Sequence, residues 1–129
     1  MTTPAQPKAR KWILVVDDDP RVRAVISERL AIAGYAVVQA GDGYVAMQLL
    51  AQLLPHLILL DLDMPRISGP EFLTAVAGQP NWRRIPVLIV SGHELDQPVP
   101  EGVRLAGVLA KPVSFDVLLE KVAEALGGG

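Results

Sequence analysis

The stretch Leu57-Ile58-Leu59-Leu60-Asp61 decides how this chain folds. Four apolar residues with no polar alternation describe a strand buried on both faces, and such strands belong to parallel sheets covered by helices. The run stops at a carboxylate and opens into Asp61-Leu62-Asp63-Met64-Pro65. A second run, Ile13-Leu14-Val15-Val16, stops in the same way at Asp17-Asp18-Asp19, with Pro20 behind it. Two buried strands that both end in acids bring carboxylates to one rim of one sheet.

Outward from these two strands, short apolar runs alternate with helical spacing. Trp12–Val16 reads as the first strand. Asp19-Pro20 starts a helix, with a capping side chain and a proline at the first helical position. Val22, Val25, Ile26 and Leu30 recur on one face until Gly34 stops it. Ala36–Ala40 reads as the second strand and Asp42-Gly43 as a turn. Val45, Leu49 and Leu50, with Leu53 or Leu54, mark the next helix, which Pro55 separates from the Leu57–Leu60 strand. Gly69 to Ala77 forms a third helix with Phe72, Leu73 and Val76 inward. Ile85–Val90 and Leu105–Ala110 are the fourth and fifth strands. Ser114 caps a last helix whose stripe is Phe115, Leu118, Leu119, Val122 and Leu126. Between Ser91 and Leu105 stand Pro98 and Pro100, which cannot both sit inside a helix. The helix due there is short, disrupted or absent.

This alternation predicts an α/β fold, a doubly wound five-stranded parallel sheet of flavodoxin-like order 2-1-3-4-5. In that order a crevice opens between strands 1 and 3 at their C-terminal ends, where Asp17, Asp18 and Asp61 fall. The expected boundaries are a polar N-terminal tail over 1–11, one domain over 12–126 and a glycine tail over 127–129.

Composition narrows the function. The 129 residues fit one domain, and half are hydrophobic, enough for a core. A net charge of −2 argues against direct nucleic-acid binding, which needs a basic face. With no cysteine, thiol catalysis, disulfides and thiolate metal sites are excluded. No apolar run approaches the roughly 20 residues that span a bilayer. Met1–Lys11 lacks the apolar segment of a secretory signal. A cytoplasmic protein without membrane insertion is the expectation.

Carboxylates converging on one crevice repel one another, and a bound Mg²⁺ relieves that repulsion while keeping waters and phosphate oxygens in its shell. One carboxylate is then left as a nucleophile able to form an acyl phosphate. Phosphoryl transfer further needs donors facing the phosphoryl oxygens. The next strand ends supply them: Val87-Leu88-Ile89-Val90 runs into Ser91 and the small Gly92, and Leu109-Ala110 into Lys111-Pro112.

In these residues the chain resembles the receiver domain of bacterial two-component response regulators. The resemblance rests on Val15-Val16-Asp17-Asp18, on Leu59-Leu60-Asp61 with Met64-Pro65 and Gly69, on Ser91-Gly92 and on Lys111-Pro112, and runs from about Trp12 to Leu126. It implies that Asp61 is the phosphoacceptor, served by a histidine kinase or histidine phosphotransfer protein, in a signalling domain that is not an enzyme in its own right. It implies that Asp18, Asp61 and the backbone carbonyl of Asp63 hold Mg²⁺, with Asp17 acting through water. Ser91 and Lys111 would bond the phosphoryl oxygens, and Lys111-Pro112 would be cis. Output would pass to a downstream protein target, with the oligomeric state open.

Two features depart from the family. It usually carries Tyr or Phe three residues before the lysine, where this chain has Val108, and Pro98 and Pro100 break the segment that usually helps form the output face. A degenerate receiver that binds a partner without phosphate is therefore an alternative reading. Another is an Asp-nucleophile phosphohydrolase, since Asp61-Leu62-Asp63 also resembles the Asp-x-Asp motif of haloacid-dehalogenase-like phosphatases. Asp19 is expected to cap its helix, His56 to lie exposed at the far end, and His93 to be a loop residue near the site. Trp82-Arg83-Arg84 is expected to cover the sheet edge.

Overall fold

The element order is β1 Trp12–Val16, α1 Pro20–Ile32, β2 Ala36–Ala40, α2 Gly43–Leu50, β3 Leu57–Asp61, α3 Gly69–Gly78, β4 Pro86–Ser91, β5 Arg104–Ala110 and α4 Phe115–Ala125. These come from a computed structural model, which describes residues 10–64, 69–92, 95 and 98–127. The strands form one five-stranded sheet in the order β2-β1-β3-β4-β5, and every neighbouring pair is parallel. The doubly wound fold read from the apolar runs is the fold observed.

Side chains along each strand alternate between two apolar layers. Leu14, Val16, Ile58, Leu60, Val87 and Ile89 pack with Ala46 and Leu50 of α2 and with Phe72, Leu73 and Val76 of α3. Ile13, Val15, Leu57, Leu59, Leu88 and Leu109 pack on the opposite face with Leu30 of α1 and with Leu118 and Val122 of α4. β1 and β3 are interior strands of the sheet, and Ile13–Val16 and Leu57–Leu60, buried on both faces, are apolar throughout. Each fully buried branched side chain contributes about 1.5–3 kcal/mol.

Helix ends follow the expected chemistry. The Asp19 side chain accepts from Arg21 N and Val22 N, with Pro20 at the first helical position. α1 ends where Gly34 takes φ 103°, with Gly34 N bonded to Ala31 O and Tyr35 N to Leu30 O. That pair of bonds needs a left-handed residue, which glycine supplies without a Cβ clash. Ser114 caps α4 through a bond from Val117 N. The Lys111-Pro112 bond is cis, as the resemblance implied.

Three expectations need correction. Val22 and Val25 do not face the core; they are 41 % and 43 % exposed, and α1 is seated through Ser27 and Leu30 instead. Asp42-Gly43 is not a free-standing turn, because Asp42 caps α2 by accepting from Val45 N at 2.8 Å. An Asp-Gly pair reads the same way in either role until the residue three positions on is known to be helical. In α2 the buried positions are Gly43, Ala46 and Leu50, so Val45 points outward, and the helix stops before Leu53 and Leu54.

Between β4 and β5 no helix occurs among the described residues. Leu95, Val99 and Val103 pack against the α2–α3 layer in its place. Trp82 joins the same layer from the turn before β4. No helix of the described residues is long and apolar enough to cross a membrane.

Candidate functional site

The parallel register sets Val16 beside Leu60, so the next residues, Asp17 and Asp61, emerge together at the C-terminal rim. Asp17 N donates to Ala40 O at 3.1 Å, and Leu62 N to Val90 O at 2.9 Å, fixing the backbone on either side of the crevice. Asp17 and Asp61 are each only 5 % exposed, while Asp18 faces solvent. Carboxylate oxygens of Asp17, Asp18 and Asp61 lie within 4.8 Å of one another.

Three acids this close strain one another electrostatically. The Asp17 carboxyl is pushed up to about 6, first by burial and then by the neighbouring Asp61 and Asp18 charges; a bond from Asp19 N and the Lys111 charge oppose the rise. Asp19 N donates to Asp17 Oδ1 at 2.9 Å. Arg23 reaches up from α1, donating from Nη1 to the Asp17 carbonyl at 2.7 Å and from Nε to Gln39 Oε1 at 3.1 Å. This clamp on the Asp17 backbone was not foreseen; its only trace in the sequence is a cation one helical turn beyond the Asp19 cap.

Lys111 enters from the end of β5, its N–H tied to Ser91 O at 2.8 Å. Its Nζ lies 2.8 Å from Asp61 Oδ1 and 3.5 Å from Asp63 Oδ2. Burial lowers the Lys111 pKa, but the bond to Asp61 and the acids around it outweigh that, and the net direction is up. Asp63 N donates to Asp61 Oδ1 at 3.0 Å, so one Asp61 oxygen takes both a backbone amide and the ammonium.

The side chain of Asp63 was expected to play a lesser part than its backbone oxygen. Instead its Oδ2 accepts from Gly92 N at 2.7 Å and its Oδ1 from Ser91 Oγ at 3.3 Å. Ser91 thus stands beside the site but bonds Asp63. Gly69, at the start of α3, is forced by close packing: a Cβ there would stand 2.7 Å from the Leu62 Cα. His56 is exposed at the opposite end, accepting at Nδ1 from Trp12 N at 2.9 Å. His93 and Pro65 lie outside the described residues.

The donor set suits a hard divalent cation: all oxygen, anionic, open to solvent on the Asp18 side, and otherwise self-repelling. From the acids a groove of about 830 Å³ runs between α1 and the start of α4, lined by Val22, Val25, Ile26, Val113 and Phe115 among others. Val22 and Val25 are therefore walls of this groove.

A doubly wound sheet with an acid cluster and a lysine at its topological switch point defines a phosphoacceptor-type signalling module. The sequence matches the family model described as the response regulator receiver domain over residues 13–123, and the chain belongs to that family. It is 37 % identical over 112 residues to a probable cyclic di-GMP phosphodiesterase of Vibrio cholerae serotype O1, covering 85 % of this chain and 25 % of that protein. This chain therefore spans a quarter of the length of that curated relative. Among solved structures it resembles the chemotaxis protein CheY4 of Vibrio cholerae, with TM-score 0.83 and 30 % identity, covering 92 % of this chain and 100 % of that one. It also resembles the receiver domain of a sensor histidine kinase from Pseudomonas aeruginosa, described with a magnesium ion coordinated in the active site cleft; there the TM-score is 0.81 at 26 % identity, covering 92 % and 99 %. The chain is a receiver domain of two-component signalling with an acidic pocket of Asp17, Asp18 and Asp61.

Proposed function

We propose that Asp61 is the phosphoacceptor, and that its acyl phosphate is the signal this domain carries. The observation that supports this most is the setting of one buried carboxylate: Asp61 ends a central strand, two further acids beside it and the Lys111 ammonium 2.8 Å away. An Asp61 oxygen attacks phosphorus, the O–P bond forms as the bond to the donor breaks, and the leaving group departs with the electron pair. Asp18, Asp61 and the Asp63 backbone carbonyl would hold Mg²⁺, with Asp17 acting through water. The bound cation would supply charge neutralisation between the acids and the incoming phosphoryl oxygens. Lys111 orients Asp61 before transfer and is placed to follow the charge onto the new phosphoryl group.

The phosphodonor would be a histidine kinase or histidine phosphotransfer protein. The apolar groove that leads from the acids past Val22, Val25 and Phe115 offers such a partner a seat beside Asp61. The matching test is incubation with Mg²⁺ and acetyl phosphate. It should give one hydroxylamine-labile phosphate per chain in the wild type and none in Asp61→Asn. A wild type that takes no label, or an Asp61→Asn protein that takes as much, overturns the assignment.

A further inference from the structure

The hydrogen bonds of Asp63 put a carboxylate where another anion is due. Gly92 N, Ser91 Oγ and Lys111 Nζ surround it at 2.7, 3.3 and 3.5 Å. A backbone amide, a hydroxyl and an ammonium converging from the ends of β4 and β5 make a seat for oxyanions. The seat adjoins Asp61, because the same Lys111 Nζ also bonds Asp61 Oδ1. Gly92 admits the guest closely: a Cβ there would stand 3.3 Å from Asp63 Oδ2.

We infer that the Asp63 carboxylate is a resident stand-in for the phosphoryl group, holding the Ser91–Gly92–Lys111 seat until a phosphoryl on Asp61 displaces it. The inference rests on the proposed phosphoacceptor role of Asp61. Both anions need the same donors, and like charges do not share one seat. The phosphoryl group carries nearly twice the charge and three acceptor oxygens, so it takes the donors once it is covalently fixed beside them. Asp63 has somewhere to go, because its side chain is 31 % exposed and turns toward water when released. The carboxylate thus sets a threshold. It keeps the seat closed to free oxyanions, slows capture of the phosphoryl group and competes for the seat as long as the phosphoryl stays.

Phosphorylation in this chain would then also be an exchange. Ser91 Oγ and Gly92 N change partner from β3's own extension to the modified Asp61, and Asp63 is set free at the mouth of the crevice. A released carboxylate there is a change that a chain with Val108 in place of a ring can still make.

The test compares wild type, Asp63→Asn and Asp63→Ala at saturating Mg²⁺, reading beryllofluoride affinity, acetyl phosphate labelling and the Gly92 amide resonance during sulfate titration. Asp63→Asn keeps the shape and an acceptor for Gly92 N while removing the charge, so it covers the case in which Asp63→Ala folds poorly. The expected result is beryllofluoride binding at least tenfold tighter in both variants, faster labelling, and a Gly92 amide that moves with millimolar sulfate in the variants alone. Equal beryllofluoride affinity, or a Gly92 amide that responds to sulfate alike in all three proteins, overturns the stand-in while leaving Asp61 as phosphoacceptor. Weaker binding in both variants also overturns it, since Asp63 would then be part of the seat. Absence of label in every variant overturns the phosphoacceptor reading and the stand-in together.

Discussion

The ammonium of Lys111 stands 2.8 Å from the Asp61 carboxylate, although the two residues are fifty positions apart in the chain. It is paired with a carboxylate that is 5 % exposed, and its field also lowers the Asp17 pKa. Lys111→Ala would leave Asp17, Asp18 and Asp61 facing one another without that charge. The metal-free variant is expected to lose about 1–3 kcal/mol of stability at neutral pH in urea unfolding. Saturating Mg²⁺ should restore part of the loss, whereas labelling by acetyl phosphate stays depressed.

The raised Asp17 carboxyl predicts a pH dependence of known sign. A carboxyl held at about 6 in the folded protein binds its proton more tightly folded than unfolded. Its contribution to stability is full below about pH 4 and is lost as pH rises through 6. The metal-free protein should therefore melt at falling temperature across this window, and Asp17→Asn should flatten the trend. The same proton competes with a cation. Mg²⁺ affinity measured by calorimetry should fall below pH 6, by up to about tenfold per unit.

Gly69 admits no side chain. A methyl group there meets the Leu62 Cα and carbonyl at 2.7 and 2.8 Å, and backbone cannot step aside as a flexible side chain can. Gly69→Ala is expected to cost about 1–3 kcal/mol in chemical denaturation. It should also reduce Asp61 labelling, since Leu62 follows Asp61 directly.

Ser27 offers the opposite experiment. Among the described residues its Oγ is buried without a hydrogen-bond partner, on the face by which α1 meets the sheet. Ser27→Ala removes that cost and adds helix propensity, so a gain of about 1 kcal/mol is expected, read as a rise in melting temperature. Asp61 chemistry should be unaffected.

How far the sequence could be read depends on the range of the forces involved. The sheet and its acidic rim were legible because strands buried on both faces leave continuous apolar runs, and the residue after each run is fixed in space by the register. Caps at Asp19 and Ser114 were legible because their bonds close within three residues. The Asp63 contact was not, because Gly92 lies 29 positions away and only the folded sheet brings them together. Nor was the orientation of α1. Val22 and Val25 carry the spacing of a buried stripe, yet they line an open groove, and apolar periodicity does not distinguish a core from a groove wall.

Among the described residues no helix covers β5 on the α3 side of the sheet, which changes what a second protein would encounter there. Val108 pairs with Ile89 and faces the α3 side of the sheet, where it is 43 % exposed, as Leu105 is at 42 %. Val108 and Ala110 project from alternate positions of a pleated strand, about 7 Å apart. A groove shaped to grip the ridges of a helix would find no purchase on that spacing. Among the described residues this side of β5 offers an apolar strip of strand, so a contact made there would be read from Leu105 and Val108 and not from the outer face of a helix.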